Sequence, residues 1–324
     1  MPKETSNSQR IFDYLRKRLG NNLRLLLIPY KRDMWDSLEG IYNIANSTPG
    51  CSAHVMPIPY SFKCYSQPRW IMDDWSDIEC RLTVDYQKKP KKGDFDAILI
   101  HNPYDNINRV TTVHPAFYSD RLHGLAKALC VVPYGIGTIC LLTPGMINAD
   151  IVFCENETII DSFKEQIMQE GANKEEAEWL ARKLVPVGSP KYDLNLSQEI
   201  PPEWIQRIKG KKVILICTSL QRFLDDPVSE MTNVNSIIDA YSKRDDCVLI
   251  WREHPLMKAT IVTMRPQFIQ AYGKFQKNYE EQDLGIMDRT HDYRIAFSVA
   301  DILYSDPSSL VHIWEQTGKE LHVL

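Results

Sequence analysis

Three short polar clusters hold residue types that can grip a charged ligand: Thr218-Ser219, Arg252-Glu253-His254 and Asp306-Pro307-Ser308-Ser309. A guanidinium offers parallel N–H donors to phosphate oxygens, and an imidazole offers one more. Hydroxyls and the free amides of a helix's first turn can complete an anion shell without a metal. Together these clusters describe a diphosphate site. Singly, each has a plainer reading: Thr218 and Ser219 cap a helix, Arg252 pairs with a carboxylate, His254-Pro255 turns the chain, and Ser308 and Ser309 cap the helix after them. Their recurrence at three strand ends is what points to a ligand. His101, in the loop His101-Asn102-Pro103-Tyr104-Asp105, and His114 are the candidates for a general base.

The clusters owe their placement to apolar runs. Residues 213–217, 247–251 and 300–304 read as buried strands, and a polar cluster follows each one. Strands are also expected at 23–29, 53–58, 96–100, 129–132 and 150–154, with helical patterns between them, so the chain is α/β with parallel sheets. Ligands of open α/β sheets bind beyond the carboxyl ends of strands. That rule favours His101 and disposes of Asp94-Phe95-Asp96, which has metal-binding spacing but lies where its strand begins. Residues 60–93 read as irregular and aromatic. At 324 residues the chain exceeds one ordinary core. The stretch 185–204, with Pro186, Pro190, Pro201 and Pro202 around Gly188-Ser189, reads as the junction between a domain at 1–187 and another at 188–324.

Composition excludes several classes. A net charge of −4 argues against nucleic acid as a partner. The eight cysteines form no C-x-x-C pair, so no zinc site is expected, and a reduced, cytoplasmic compartment follows. Residues 128–149 carry no charge, yet Pro133, Gly135, Gly137, Pro144 and Gly145 would break a spanning helix, so no transmembrane segment is expected. The polar amino terminus is no secretory signal. Signatures for P-loop nucleotide binding, zinc proteolysis and serine hydrolysis are missing, and Cys140 stands where Gly135-Ile136-Gly137 would need its third glycine.

Gly188-Ser189-Pro190-Lys191-Tyr192-Asp193, Thr218-Ser219-Leu220, Arg252 to Pro255, and Ser305 to Ser309 before a helix ending at Gly318-Lys319, in this order, resemble the CDP-glycerol glycerophosphotransferase family of teichoic acid synthesis. The likeness covers about residues 95 to 324 and is most specific near the carboxyl terminus. It implies a GT-B architecture, two Rossmann-like domains with parallel sheets facing a cleft. By that resemblance the second domain holds a CDP-linked donor, His254 contacts its phosphates, and Asp306, Ser308 and Ser309 close the site. Gly188, Ser189, Lys191 and Asp193 fall at the interdomain junction. The first domain admits a polyol-phosphate or glycan acceptor, lipid-linked at the inner membrane face. The transfer needs no metal and no cofactor beyond the donor, and serves cell-wall or surface polymer synthesis.

Two departures stand out. Where the family's polymerases carry a Trp-His-Gly, this chain reads Val132-Pro133-Tyr134-Gly135, which leaves His101 as the candidate base. The chain also stops in a strand, where a GT-B protein continues into a helix crossing back to the first domain. The rival readings are a GT-B nucleotide-sugar glycosyltransferase and a catalytically degenerate nucleotide- or glycan-binding module.

Overall fold

The computed structural model describes residues 5–76, 78, 85, 87, 89–137 and 142–324; Cys140 lies outside them. The chain divides after Asp193 into two units.

Among the described residues, the first unit contains strands β1 (Arg24–Ile28), β2 (Ser52–Val55), β3 (Tyr60–Phe62), β4 (Ala97–Ile100), β5 (Thr111–Val113), β6 (Ala128–Val131), β7 (Ile151–Cys154) and β8 (Leu184–Pro186). Six of them form a parallel sheet in the order β2-β1-β4-β6-β7-β8. Unbroken apolar runs such as Leu25-Leu26-Leu27-Ile28 suit strands covered on both faces, because neighbouring side chains point to opposite sides. Leu26, Ile28, Ile98, Ile100 and Val131 join one core, while Leu25, Leu27, Ala97, Leu99 and Cys130 join the other. The helices Asn7–Leu19 and Asp36–Ser47 cover the second face through Ile11, Phe12, Leu15, Leu38 and Ile41. On the opposite face, the helix Glu157–Gln169 contributes Phe163 and Ile167.

One expectation is corrected here, that residues 60–93 are irregular. β8 pairs with β7 where the stretch read as a junction begins, and the units divide after Asp193 within that stretch. Pro186 is tolerated there because it closes an edge strand. The stretch read as irregular contributes β3, which pairs antiparallel with β5 as a small separate ribbon.

The second unit contains β9 (Lys212–Thr218), β10 (Cys247–Glu253), β11 (Ile286–Met287), β12 (Ile302–Ser305) and β13 (Glu320–Val323), all parallel in the order β11-β10-β9-β12-β13. The chain runs outward from β9 to β10 and β11, then returns to the other side of β9 as β12. Strand order reverses between β9 and β12, and such switch points open a crevice at the strands' carboxyl ends. The same reversal occurs in the first unit, between β1 and β4. Trp251 anchors the second core, fully buried and edge-on to Tyr279 with ring centroids 5.4 Å apart.

Among the described residues, no helix is long and apolar enough to cross a membrane.

Candidate functional site

The register of the second sheet brings its polar turns together. Glu253 lies opposite Thr218 across β10 and β9, and Ser305 lies opposite Cys217 across β12 and β9, so the three strands end level. Their loops line one pocket of about 60 Å³, bounded by Thr218, Ser219, Arg252, His254, Ser308 and Ser309. Distant stretches of chain thus meet at the switch point, where the topology predicts a ligand crevice.

Each side chain has a local reason for its position. Thr218 ends β9, and its Oγ1 accepts a long bond of 3.4 Å from Trp251 Nε1. Ser219 starts the helix Leu220–Asp225; its amide donates to Asp306 Oδ2 at 2.6 Å, while its own hydroxyl has no protein partner. Asp306 is fully buried and therefore ties the β9 loop to the β12 loop from beneath. His254 accepts from the Leu256 amide at Nδ1, over 3.1 Å, so the neutral ring carries its proton on Nε2. Ser308 occupies the N-cap of the helix Ser309–Glu315 without making a side-chain cap bond. Ser308 and Ser309 both line the pocket.

Arg252 differs from expectation. Its Nη1 donates to Asp288 Oδ2 at 2.6 Å and to the Thr290 carbonyl at 3.0 Å, and both members of the ion pair are buried. The guanidinium borders the pocket, but Asp288 neutralises it, and its clear role is to fasten β10 to the loop after β11. Glu253 also borders the pocket, and its carboxyl accepts from Tyr272 and Gln276. Burial raises its carboxyl above the ordinary range.

The first-unit candidates are placed otherwise. His101 has no exposed surface; Nε2 accepts from the Tyr30 amide at 3.1 Å, and Nδ1 faces the Met34 carbonyl at 3.1 Å and Ser37 Oγ at 3.2 Å. Burial pushes its pKa down to about 3. Such a ring is neutral and spoken for on both nitrogens, so the structure corrects the assignment of His101 as base: it pins the β1 and β4 loops together. His114 accepts from the Ala116 amide and packs against Trp70, with ring centroids 4.7 Å apart.

Gly188, Ser189, Lys191 and Asp193 belong to the first unit, where they brace its first two helices. Asp193 accepts from the Asn7 and Ser8 amides, each at 2.7 Å. Asn7 donates to the Ser189 carbonyl, and Lys191 pairs with Asp36. Gly188 has φ +96°, and a side chain there would run into Asn7.

Sequence reasoning missed Asp288 as the partner of Arg252 and missed Glu230 entirely. Glu230 sits in the helix Pro227–Tyr241 and is 2% exposed. Nothing in the pattern marks it, because a glutamate in the first turn of a helix ordinarily faces water. Among the described residues, no three His, Cys, Asp or Glu side chains gather as the ligands of a metal ion would.

Comparison with solved structures agrees with this architecture. S. aureus MnaA in complex with UDP superposes with a TM-score of 0.53 at 13% identity, covering 93% of this chain and 79% of that one. A UDP-GlcNAc 2-epimerase from Neisseria meningitidis bound to UDP-GlcNAc gives 0.54 at 12% identity, over 93% of this chain and 82% of that one. A histidine-to-asparagine variant of the wall teichoic acid polymerase TagF, soaked with CDPG, gives 0.51 at 12% identity, over 98% and 74%. No protein-family model and no curated protein sequence matches the chain. The chain therefore has a GT-B-like α/β fold built on parallel sheets.

Proposed function

We propose that this chain is a GT-B transferase that moves a glycerol-phosphate, or a related phospho-polyol group, from a CDP-linked donor to a hydroxyl acceptor. The observation that carries the reading is the meeting of Thr218, Ser219, His254, Ser308 and Ser309 around one pocket at the switch point of the second sheet. The likeness to TagF soaked with CDPG adds support from the fold.

In this reaction the acceptor oxygen attacks the donor's β-phosphorus, the bond from that phosphorus to the bridging oxygen breaks, and CMP leaves. The acceptor's proton passes to a base. Charge builds on the phosphoryl oxygens and on the leaving phosphate, so positioned donors supply most of the stabilisation. His254 serves through Nε2–H, and Ser308 and Ser309 through their hydroxyls. With His101 committed to the backbone around it, the acceptor's own phosphate is the candidate to take that proton. The acceptor is a polyol-phosphate end, lipid-linked at the inner membrane face.

A second reading has its own observation. The similarity to UDP-bound structures is as strong as that to the CDPG-soaked one, which keeps a nucleotide-sugar donor in play. Turnover assays with CDP-glycerol beside UDP- and GDP-sugars separate the two readings. CMP release from CDP-glycerol is the expected result. Turnover of a nucleotide sugar alone selects the second reading, and binding without turnover leaves a ligand-holding module.

A further inference from the structure

Behind Ser219, which lines the pocket, two carboxyl groups are buried together. Glu230 is 2% exposed, and neither of its oxygens has a partner if the group is ionised. Asp306 is 0% exposed; Oδ2 accepts from the Ser219 amide, while Oδ1 has no partner. The two side chains lie within hydrogen-bond reach of each other. Two ionised carboxylates in that arrangement would be doubly unfavourable, unpaired in a dry interior and mutually repelling. One proton removes both problems, because a neutral Glu230 donates O–H to Asp306 Oδ1 and a single negative charge remains.

We propose that Glu230 is a positioning residue for the pocket: it shares one proton with Asp306 and so holds the carboxylate that fixes Ser219 and the spacing of the β9 and β12 loops. The other groups facing Glu230 do not supply this proton. Arg222, on the helix Leu220–Asp225, favours the charged form but is outweighed by burial and by Asp306. Tyr272, on the helix Ile269–Glu281, keeps its hydroxyl on Glu253. Burial first, and Asp306 second, push the Glu230 carboxyl up to about 8. As the pH rises through about 8, the pair beside Ser219 gains a negative charge, which repels an anionic ligand and frees Asp306 from its clamp. The consequence for ligand binding rests on the diphosphate reading; the shared proton and its effect on Ser219 do not.

The test uses the full chain and Glu230→Gln, which keeps a neutral donor at every pH. Infrared spectra from pH 6 to 10 should show the carbonyl stretch of a protonated carboxyl group that fades near pH 8 and is missing in the variant. In the wild type, the Ser219 amide resonance should titrate with the same midpoint, and in Glu230→Gln it should stay still. Calorimetry with CDP should give wild-type affinity that weakens on the order of tenfold above pH 8, from the added charge near the phosphates, and a flat profile in the variant. No protonated band at pH 7, or a Ser219 resonance that ignores the titration, overturns the proposal. So does a CDP profile that falls equally in wild type and variant. If the band and the Ser219 titration appear but CDP binds neither protein, the shared proton stands and the diphosphate reading falls.

Discussion

At the switch point of the first sheet, several buried polar side chains are held by protein partners. His101, at the end of β4, engages the segment after β1 with both ring nitrogens, and Asp105 takes the Ser119 amide and hydroxyl at 3.0 and 2.6 Å. Lys31 is buried between Asp33 and Asp73. At the switch point of the second sheet the ends stay open. Ser308 makes no cap bond, and the loops leave a pocket between them. The same strand reversal thus yields a locked corner in one unit and a receptive one in the other. The contrast argues that topology makes a crevice available, while hydrogen-bond accounting decides whether a ligand is wanted there.

The largest expected effect would show that even the open corner has a rigid frame. Asp288→Ala leaves the Arg252 charge buried without its partner and should cost about 3–5 kcal/mol of second-unit stability, read from denaturant unfolding. A variant as stable as the parent would mean that the Arg252–Asp288 pair does not hold the second unit's frame.

His254→Ala acts on the open side. It should weaken CDP binding by roughly ten- to a hundredfold, the loss of a hydrogen bond to a charged group at about 1.5–3 kcal/mol, with the circular dichroism spectrum unchanged. Unaltered affinity removes the imidazole from the site.

The locked corner answers to pH. His101 has a folded pKa below its unfolded value, so the unfolded chain takes up the extra proton. Stability should be intact above about pH 6.5 and should fall as the pH drops toward 3, by no more than about 1.4 kcal/mol per pH unit for this one group. His101→Gln should flatten that part of the acid limb. An unchanged slope would mean that the ring titrates normally and the corner is open.

The smallest effect separates capping from binding at Ser308. A working serine cap costs about 1 kcal/mol when replaced by alanine. Here Ser308→Ala should change stability by less than about 0.5 kcal/mol while weakening CDP binding roughly two- to tenfold. Loss of stability without loss of affinity reverses the assignment.

The apolar runs announced most of the sheet strands, because a strand covered on both faces leaves an unbroken hydrophobic signature. β8 and the β3–β5 ribbon escaped: each of these strands spans three residues, and β8 ends in a proline that otherwise signals a turn. The pocket-lining turns were legible from residue type and from their place after strands. Their partners were not. Asp288 reaches Arg252 across 36 positions, and nothing local to either residue records the pairing. Glu230 has the sequence setting of a solvated helix residue, and only tertiary packing makes it dry. His101 shows the opposite failure, since a histidine after a strand suggests a base until its backbone partners are seen.

A crystal structure of the full chain soaked with CDP-glycerol addresses the central claim most directly. The expected result is a diphosphate bridging His254 Nε2 and the Ser308 and Ser309 hydroxyls, above an undisturbed Asp306–Ser219 bond. Donor density at the carboxyl ends of β1 and β4 instead, with the β9–β12 pocket empty, would contradict it.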